Sequence, residues 1–306
     1  MIYIVIPIYN EESIIRELFT RTVAALEAFT NDFEIICVDD GSKDNTYSLL
    51  LECNRADKRF KLISLSRNFG HQRAILAGLS YAKGDLIGIM DGDLHDPPEL
   101  FEKFHDKIQQ GYDVVYAVRK KRKENWFKKM AYWSFYRLLS KVSETQIPLD
   151  SGDFSLFRRE ILDHMLRMPE QSLFLRWLRS WVGFRQTAIE YERAERTSGE
   201  PKFSLRELIR LASNGLFSFS NFPIKFLGRL GLVIILFSII YGVIVLYKRI
   251  FYPDYIPEGF TTLILAILFF SGIQLISFRI LGEYLARTYD ETKKRPLFIV
   301  KEKHLE

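Results

Sequence analysis

Short apolar runs recur along the first half of the chain at Ile2–Ile8, Phe33–Val38, Lys61–Leu65, Asp85–Met90 and Asp113–Ala117. Between them, stretches such as Glu12–Phe29 and Gly70–Ala82 space their apolar residues three and four apart. The runs predict buried strands and the spaced stretches predict helices. Repeated βα units predict an α/β class fold, a mostly parallel sheet with helices on both faces. Two helix starts are marked. Asn10 precedes Glu11-Glu12 as a cap, and Asp96-Pro97-Pro98-Glu99 supplies a cap, a first-turn proline and a third-position acid.

The pattern changes in the last third. Two long apolar segments, about Ile224 to Tyr247 and Thr261 to Tyr284, are each long enough to cross a ~30 Å hydrocarbon core at ~1.5 Å per residue. They predict two transmembrane helices, with Arg229 and Arg279 snorkelling near the interface. Arg287, Lys293, Lys294 and Arg295 on one flank, with Lys225 and Arg229 on the other, favour both termini in the cytoplasm. Lys248 and Arg249 in the connection are offset by Asp254 and Glu258. The predicted localisation is integral to a membrane, with the folded N-terminal domain in the cytoplasm. The apolar N-terminus is too short for a signal peptide and lacks a basic leader. The expected domains are 1–203 (the α/β domain), 204–223 (an amphipathic juxtamembrane helix), 224–284 (a membrane hairpin) and 285–306 (a basic tail).

Charge adds one feature. There are 43 Lys+Arg against 38 Asp+Glu, a formal +5, and the excess is uneven. Arg119, Lys120, Lys121, Arg122, Lys123, Lys128 and Lys129 run into Trp126, Phe127, Tyr132, Trp133, Phe135 and Tyr136. A basic segment merging into an aromatic helix over 118–141 predicts contact with an anionic lipid bilayer. Nucleic acid is the other usual partner of such a patch, and the neighbouring apolar segments argue against it. Two cysteines, Cys37 and Cys53, have no metal-ligand spacing and suggest no disulfide framework.

The candidate chemistry lies after the strands. Tyr9-Asn10-Glu11, Asp39-Asp40-Gly41-Ser42, Ser66-Arg67-Asn68-Phe69-Gly70, Asp91-Gly92-Asp93 and Arg119 each follow one apolar run. Ligands of open parallel sheets bind at that edge. Two carboxylates one residue apart repel unless a cation lies between them, and hard oxygen ligands favour Mg²⁺ or Mn²⁺ shared with substrate phosphates. A charged turn is the plain alternative for any single cluster; five on one edge favour a nucleotide site. There is no Gly-x-Gly-x-x-Gly after the first strand and no Gly-Lys-Ser/Thr loop, which speaks against dinucleotide and P-loop cradles.

These elements, Val5-Ile-Pro-Ile-Tyr-Asn-Glu-Glu12, Val38-Asp-Asp-Gly-Ser42, Ser66-Arg-Asn-Phe-Gly70, Asp91-Gly-Asp93 and Gly152-Asp-Phe154, together resemble inverting glycosyltransferases of family 2 with the GT-A (Rossmann-like) fold. The pattern is nearest to the polyprenyl-phosphate group, which includes dolichol-phosphate mannose synthases and bacterial undecaprenyl-phosphate glucosyltransferases. The resemblance implies that Pro7, Tyr9, Glu11, Val38, Asp40, Asp91 and Gly92 meet the nucleotide-sugar. It implies that Asp91 and Asp93 flank the diphosphate as metal ligands, with His95 where relatives place Gln; a solvated His95 is the competing reading. Arg119 would meet phosphate. Arg196 and Lys202 would screen the leaving diphosphate from a mobile loop. Asp153 would be a base or an organiser of the acceptor. A lipid phosphate is already anionic, which favours orientation over deprotonation, and a buried structural aspartate remains the alternative.

The implied reaction moves one sugar, with UDP-glucose the favoured donor, to undecaprenyl phosphate for a cell-envelope glycan. GDP-mannose and UDP-amino sugars stay open as donors. A processive polysaccharide synthase is disfavoured because Leu173 stands where such enzymes place Gln before Arg176-Trp177. A non-catalytic membrane scaffold is disfavoured by the intact Asp91 and Asp93. Exposed aromatic helices leave a homo-oligomer open.

Overall fold

The computed structural model describes residues 1–119, 151–168, 170, 174–191, 222–251 and 259–306. The five expected strands form: β1 (Ile2–Ile8), β2 (Phe33–Asp39), β3 (Phe60–Leu65), β4 (Leu86–Ile89) and β5 (Val114–Arg119). Helices α1 (Ile15–Glu27), α2 (Thr46–Ala56), α3 (His71–Leu79) and α4 (Leu100–Gln109) connect them. Further along come β6 (Ser151–Arg158), α5 (Arg159–Leu166), α6 (Leu175–Trp181), β7 (Gln186–Tyr191), α7 (Phe222–Phe251), α8 (Phe260–Thr292) and β8 (Val300–His304).

One eight-stranded sheet runs in the order β7-β5-β6-β4-β1-β2-β3-β8. β4, β1, β2 and β3 are parallel neighbours, β6 runs antiparallel between β4 and β5, and β8 closes the other edge antiparallel to β3. The chain steps from β1 outward to β2 and β3 and then returns past β1 to β4. Sheets whose strand order reverses in this way bind ligands beyond the carboxyl ends of the strands at the reversal, here β1 and β4.

Continuous burial explains why these strands were readable. All seven residues of β1 are buried, as expected of a strand covered on both faces. One face packs Ile4, Ile6, Leu18, Leu26, Phe101 and Phe104 with α1 and α4. The other packs Val5, Val38, Ile63, Ala74, Ile75 and Ala77 with α3. Gly78 allows that close approach, since a Cβ there would fall 2.4 Å from a Val5 methyl. Cys37 is buried on the face packed by α1 and α4.

Both expected caps are spent elsewhere. Asn10 adopts a positive φ of 54°, and its Oδ1 accepts from the Lys43 N–H at 2.8 Å, tying the loop after β1 to the loop after β2. Helix α1 starts five residues later without a side-chain cap. Asp96 is buried and accepts from the Tyr191 hydroxyl, and Glu99, itself making no cap bond, stands at the start of α4.

The chain divides into two compact units. One comprises Met1–Trp133, Thr145–Pro201 and Arg295–Glu306, and the other Ser134–Glu144 and Lys202–Lys294. In the second, both apolar segments are helices, α7 and α8, and both expose large apolar side chains such as Phe237 and Leu275. Among the described residues, however, no helix is long and apolar enough to cross a membrane. Charge enters both helices, with Arg229 near the start of α7 and Arg279, Glu283 and Arg287 within α8. The expected transmembrane hairpin, and the integral-membrane localisation drawn from it, are corrected on that finding. The basic-aromatic stretch 120–141 and the juxtamembrane stretch 204–221 lie outside the described residues.

Candidate functional site

The parallel strands deliver their following residues to one edge, and antiparallel β6 brings its first residues to the same place. Ile89 of β4 pairs with Ser155 of β6. Continuing that register by two residues sets Asp153 across from Asp91. Carboxylates far apart in sequence thereby meet at one end of the sheet.

Asp153 is buried, and both of its oxygens are engaged. Oδ2 accepts from Gln72 Nε2 at 2.8 Å and lies 3.5 Å from His71 Nε2. Oδ1 accepts from Arg176 Nε at 3.1 Å. Burial opposes its ionisation. The His71 hydrogen bond and the charges of Arg176, His71 and Arg179 outweigh burial and hold the carboxyl far below the usual carboxylate range. Arg179 is itself buried, which pulls its guanidinium down to about 10. It donates to the Gly152 carbonyl at 3.4 Å and lies over the Tyr116 ring.

Asp91 is the converse case. Its Oδ1 is buried without a hydrogen-bond partner, although His71 Nε2 stands 3.4 Å away. Burial pushes its pKa up to about 6, with Asp96, Asp153 and Asp93 adding repulsion that His71 only partly offsets. His71 thus bridges the two carboxylates. Burial opposes its charge, but Asp153 and Asp91 raise its pKa above the ordinary value.

Several expected residues line the same edge. Tyr9 is exposed and Glu11 half-buried just after β1. Glu11 N–H donates to Thr46 Oγ1 at 2.9 Å and Asn10 N–H to Ser42 Oγ at 3.0 Å, so the loops after β1 and β2 form one wall. Pro7 is a buried member of β1, opposite Val38. The Val38 side chain points into the core under α3, which leaves its backbone as the part able to meet a ligand. Gly92 is buried against β1, where a Cβ would lie 3.0 Å from the Pro7 carbonyl oxygen.

Asp40 faces the loop after β3. Its Oδ1 accepts from Phe69 N–H at 2.7 Å and its Oδ2 from Gly70 N–H at 2.9 Å. Burial raises its pKa against those two bonds. Gly41, at φ +69°, lets the loop pass, because a Cβ would sit 2.6 Å from the Arg67 carbonyl carbon. The loop is thereby fixed immediately before His71. Arg119 ends β5 opposite Tyr191, and Arg196 and Lys202 lie outside the described residues.

For a cation, the donor set is sparse. Among the described residues no group of three or more His, Cys, Asp and Glu is arranged to hold a metal. His95 folds back on Asp93: its N–H donates to Asp93 Oδ1 at 3.1 Å and its Nε2 lies 3.9 Å from Oδ2. Mg²⁺ needs only one or two protein carboxylates when substrate phosphates complete its shell. The unsatisfied Asp91 Oδ1 beside Asp93 fits that shared kind of site and does not fit an all-protein cage.

Sequence reasoning missed His71, Gln72 and Arg179 as members of this cluster. The available signal was position, since His71-Gln72 directly follows Gly70 at the edge already identified. In the sequence, Arg176 stands out only beside Trp177, in a pattern like that of polysaccharide synthases.

The chain is similar to known proteins along nearly its whole length. The glycosyl transferase family 2 model matches residues 3–166. The chain is 45% identical over 302 residues to the uncharacterized glycosyltransferase YkcC of Bacillus subtilis, covering 98% of this chain and 93% of that one. It is 40% identical over 303 residues to a prophage bactoprenol glucosyl transferase homolog of Escherichia coli, covering 98% of each. It is 37% identical to the bactoprenol glucosyl transferase of Shigella phage SfII, covering 99% of this chain and 98% of that one. With motifs, sheet and full-length relatives in agreement, the chain belongs to glycosyltransferase family 2.

Proposed function

We propose that this chain transfers one glucosyl residue from UDP-glucose to undecaprenyl phosphate, inverting the anomeric centre. The observation that carries the reading is the unsatisfied Asp91 carboxylate at the end of β4, beside Asp93 and across from Asp153. Relatives named as bactoprenol glucosyl transferases support the choice of sugar and acceptor. Asp91 and Asp93 would hold Mg²⁺ or Mn²⁺, which supplies positive charge for the donor diphosphate.

The chain's own residues do the rest. The wall formed by Tyr9, Glu11 and the loop after β2 receives the nucleoside. Gly92 keeps the turn after β4 tight against β1. A phosphate oxygen of the acceptor attacks the anomeric carbon from the face opposite the diphosphate. The new C–O bond forms as the bond to the nucleoside diphosphate breaks, and the leaving group departs with the electron pair. The nucleophile is already anionic, so no proton need be removed. Holding both reactants in line is the main contribution of such an edge, and Arg119, Arg196 and Lys202 are proposed to steady phosphate charge. The acceptor is a lipid, so contact with a bilayer through the basic-aromatic stretch 118–141 belongs to the proposal.

The test offers UDP-glucose, UDP-N-acetylglucosamine and GDP-mannose separately with undecaprenyl phosphate, with Mg²⁺, Mn²⁺ or EDTA. Expected is glycolipid from UDP-glucose with a divalent ion and none with EDTA. Absence of glycolipid from every donor in the presence of metal contradicts the reading.

A further inference from the structure

Asp153 poses a geometric problem for any role in which it touches the acceptor. Its side chain is 5% exposed and both oxygens are engaged by Gln72, His71 and Arg176. By contrast, the His71 ring is 46% exposed and Arg176 is 34% exposed. These two cationic or hydrogen-bonding groups meet opposite oxygens of one buried carboxylate. An incoming molecule reaches them before it reaches Asp153.

Both groups are held in place. His71 opens α3 directly after Phe69-Gly70, whose two N–H groups are clamped by Asp40. Gln72 spans the gap to α6: its Nε2 donates to Asp153 and its Oε1 accepts from Leu175 N–H at 2.9 Å. Arg176 is the next residue of α6 and lies over the Phe174 ring. Two helix starts from distant parts of the chain are therefore tied together through one carboxylate and one amide. Buried anchoring beneath half-exposed donors is the arrangement of a preorganised anion contact, with little reorganisation needed on binding.

We propose that His71 and Arg176 form the contact for the acceptor's phosphate, and that Asp153 is their positioning residue rather than a base. The inference rests on the glycosyl-transfer reading, and its ligand class is a phosphomonoester carrying a long hydrocarbon chain. On the donor side His71 is 3.4 Å from Asp91 Oδ1. The same ring therefore sets the spacing between the carboxylate assigned to the donor diphosphate and the phosphate that attacks.

The test measures equilibrium binding, so it stands apart from turnover. Farnesyl phosphate in detergent is titrated calorimetrically into the full-length protein and into His71→Asn, Arg176→Gln and the double variant, with UDP plus Mg²⁺ titrated in parallel. Each single variant is expected to weaken farnesyl phosphate about tenfold or more, as loss of a hydrogen bond to a charged group does. UDP binding is expected to change less than about twofold in Arg176→Gln, and the melting temperature of His71→Asn, a half-exposed site, to stay near that of the parent. In turnover, the acceptor KM should rise with a smaller change in kcat. Asp153→Asn, where it folds, should weaken farnesyl phosphate without adding to the loss in His71→Asn. Unchanged farnesyl phosphate binding in both single variants, or equal weakening of UDP and farnesyl phosphate in Arg176→Gln, overturns the proposal. Failure of the parent protein to transfer any sugar while these binding differences hold would instead count against the reaction assigned above.

Discussion

Asp91 and Asp153 are the same side chain in opposite surroundings, and the contrast yields two predictions. Asp91 is half-buried, its buried Oδ1 has no hydrogen-bond partner, and its pKa is raised to about 6. A carboxyl whose pKa is raised on folding stabilises the native state below its unfolded pKa, and that contribution disappears as pH rises through the folded value. Without divalent ions the charged form costs on the order of 1–3 kcal/mol at pH 7.5. Asp91→Asn is therefore expected to melt several degrees above the parent at pH 7.5 in EDTA, with the difference shrinking toward pH 4; a lower melting temperature at pH 7.5 would contradict it. Asp153 has the reverse sign. Its depressed pKa means that its stabilisation is present at neutral pH and is lost only as pH falls below the ordinary carboxylate range. Asp153→Asn strands Arg176, Arg179 and His71 beside a neutral group and is expected to cost about 3–5 kcal/mol in urea unfolding at pH 7. The acids themselves were legible as sequence, because acidic residues after apolar runs are visible without a structure. Their partners were not. His71, Gln72 and Arg179 meet Asp153 only because β6 inserts antiparallel beside β4, and no spacing in the chain announces that insertion.

Strands β1 to β5 were readable because each is a short apolar run ended by turn residues. The three that escaped notice lack that signature. β7 alternates half-exposed and exposed positions, with one buried tyrosine at its end. β8, Val300-Lys-Glu-Lys-His304, carries charges suited to an outer edge. β6, Ser151–Arg158, mixes polar and charged residues among its apolar ones and follows a basic-aromatic stretch. β8 has a consequence for the site. Before it, the Ile299 carbonyl accepts from the Ser66 N–H at 2.9 Å, at the entrance of the loop that Asp40 clamps at its far end. Leu297, Phe298, Val300 and Leu305 pack against the core beside α3, and Tyr47 donates to Glu302 at 2.6 Å. Deleting residues 296–306 is expected to lower the urea midpoint and to speed amide exchange over 66–70 at least about tenfold. Unchanged exchange there would show that Asp40 alone holds the loop.

At the scale of the whole molecule, the α/β sheet and the family were legible because several weak motifs fall in order after successive strands. The expected membrane hairpin was not upheld. Apolar length alone suggested a crossing, yet among the described residues no helix is long and apolar enough for one. What unites the molecule's chemistry is the sheet edge beyond β1 and β4. There a sheet that reverses its strand order gathers Asp91, Asp93, His71 and Asp153. The most direct measurement of the central claim is transfer of labelled glucose from UDP-glucose into undecaprenyl-phosphate lipid by the parent and by Asp91→Asn, each with Mg²⁺ and with EDTA. The account predicts labelled lipid only from the parent with metal, and a loss of at least about a hundredfold in Asp91→Asn. Equal labelling by Asp91→Asn, or full labelling in EDTA, would contradict it.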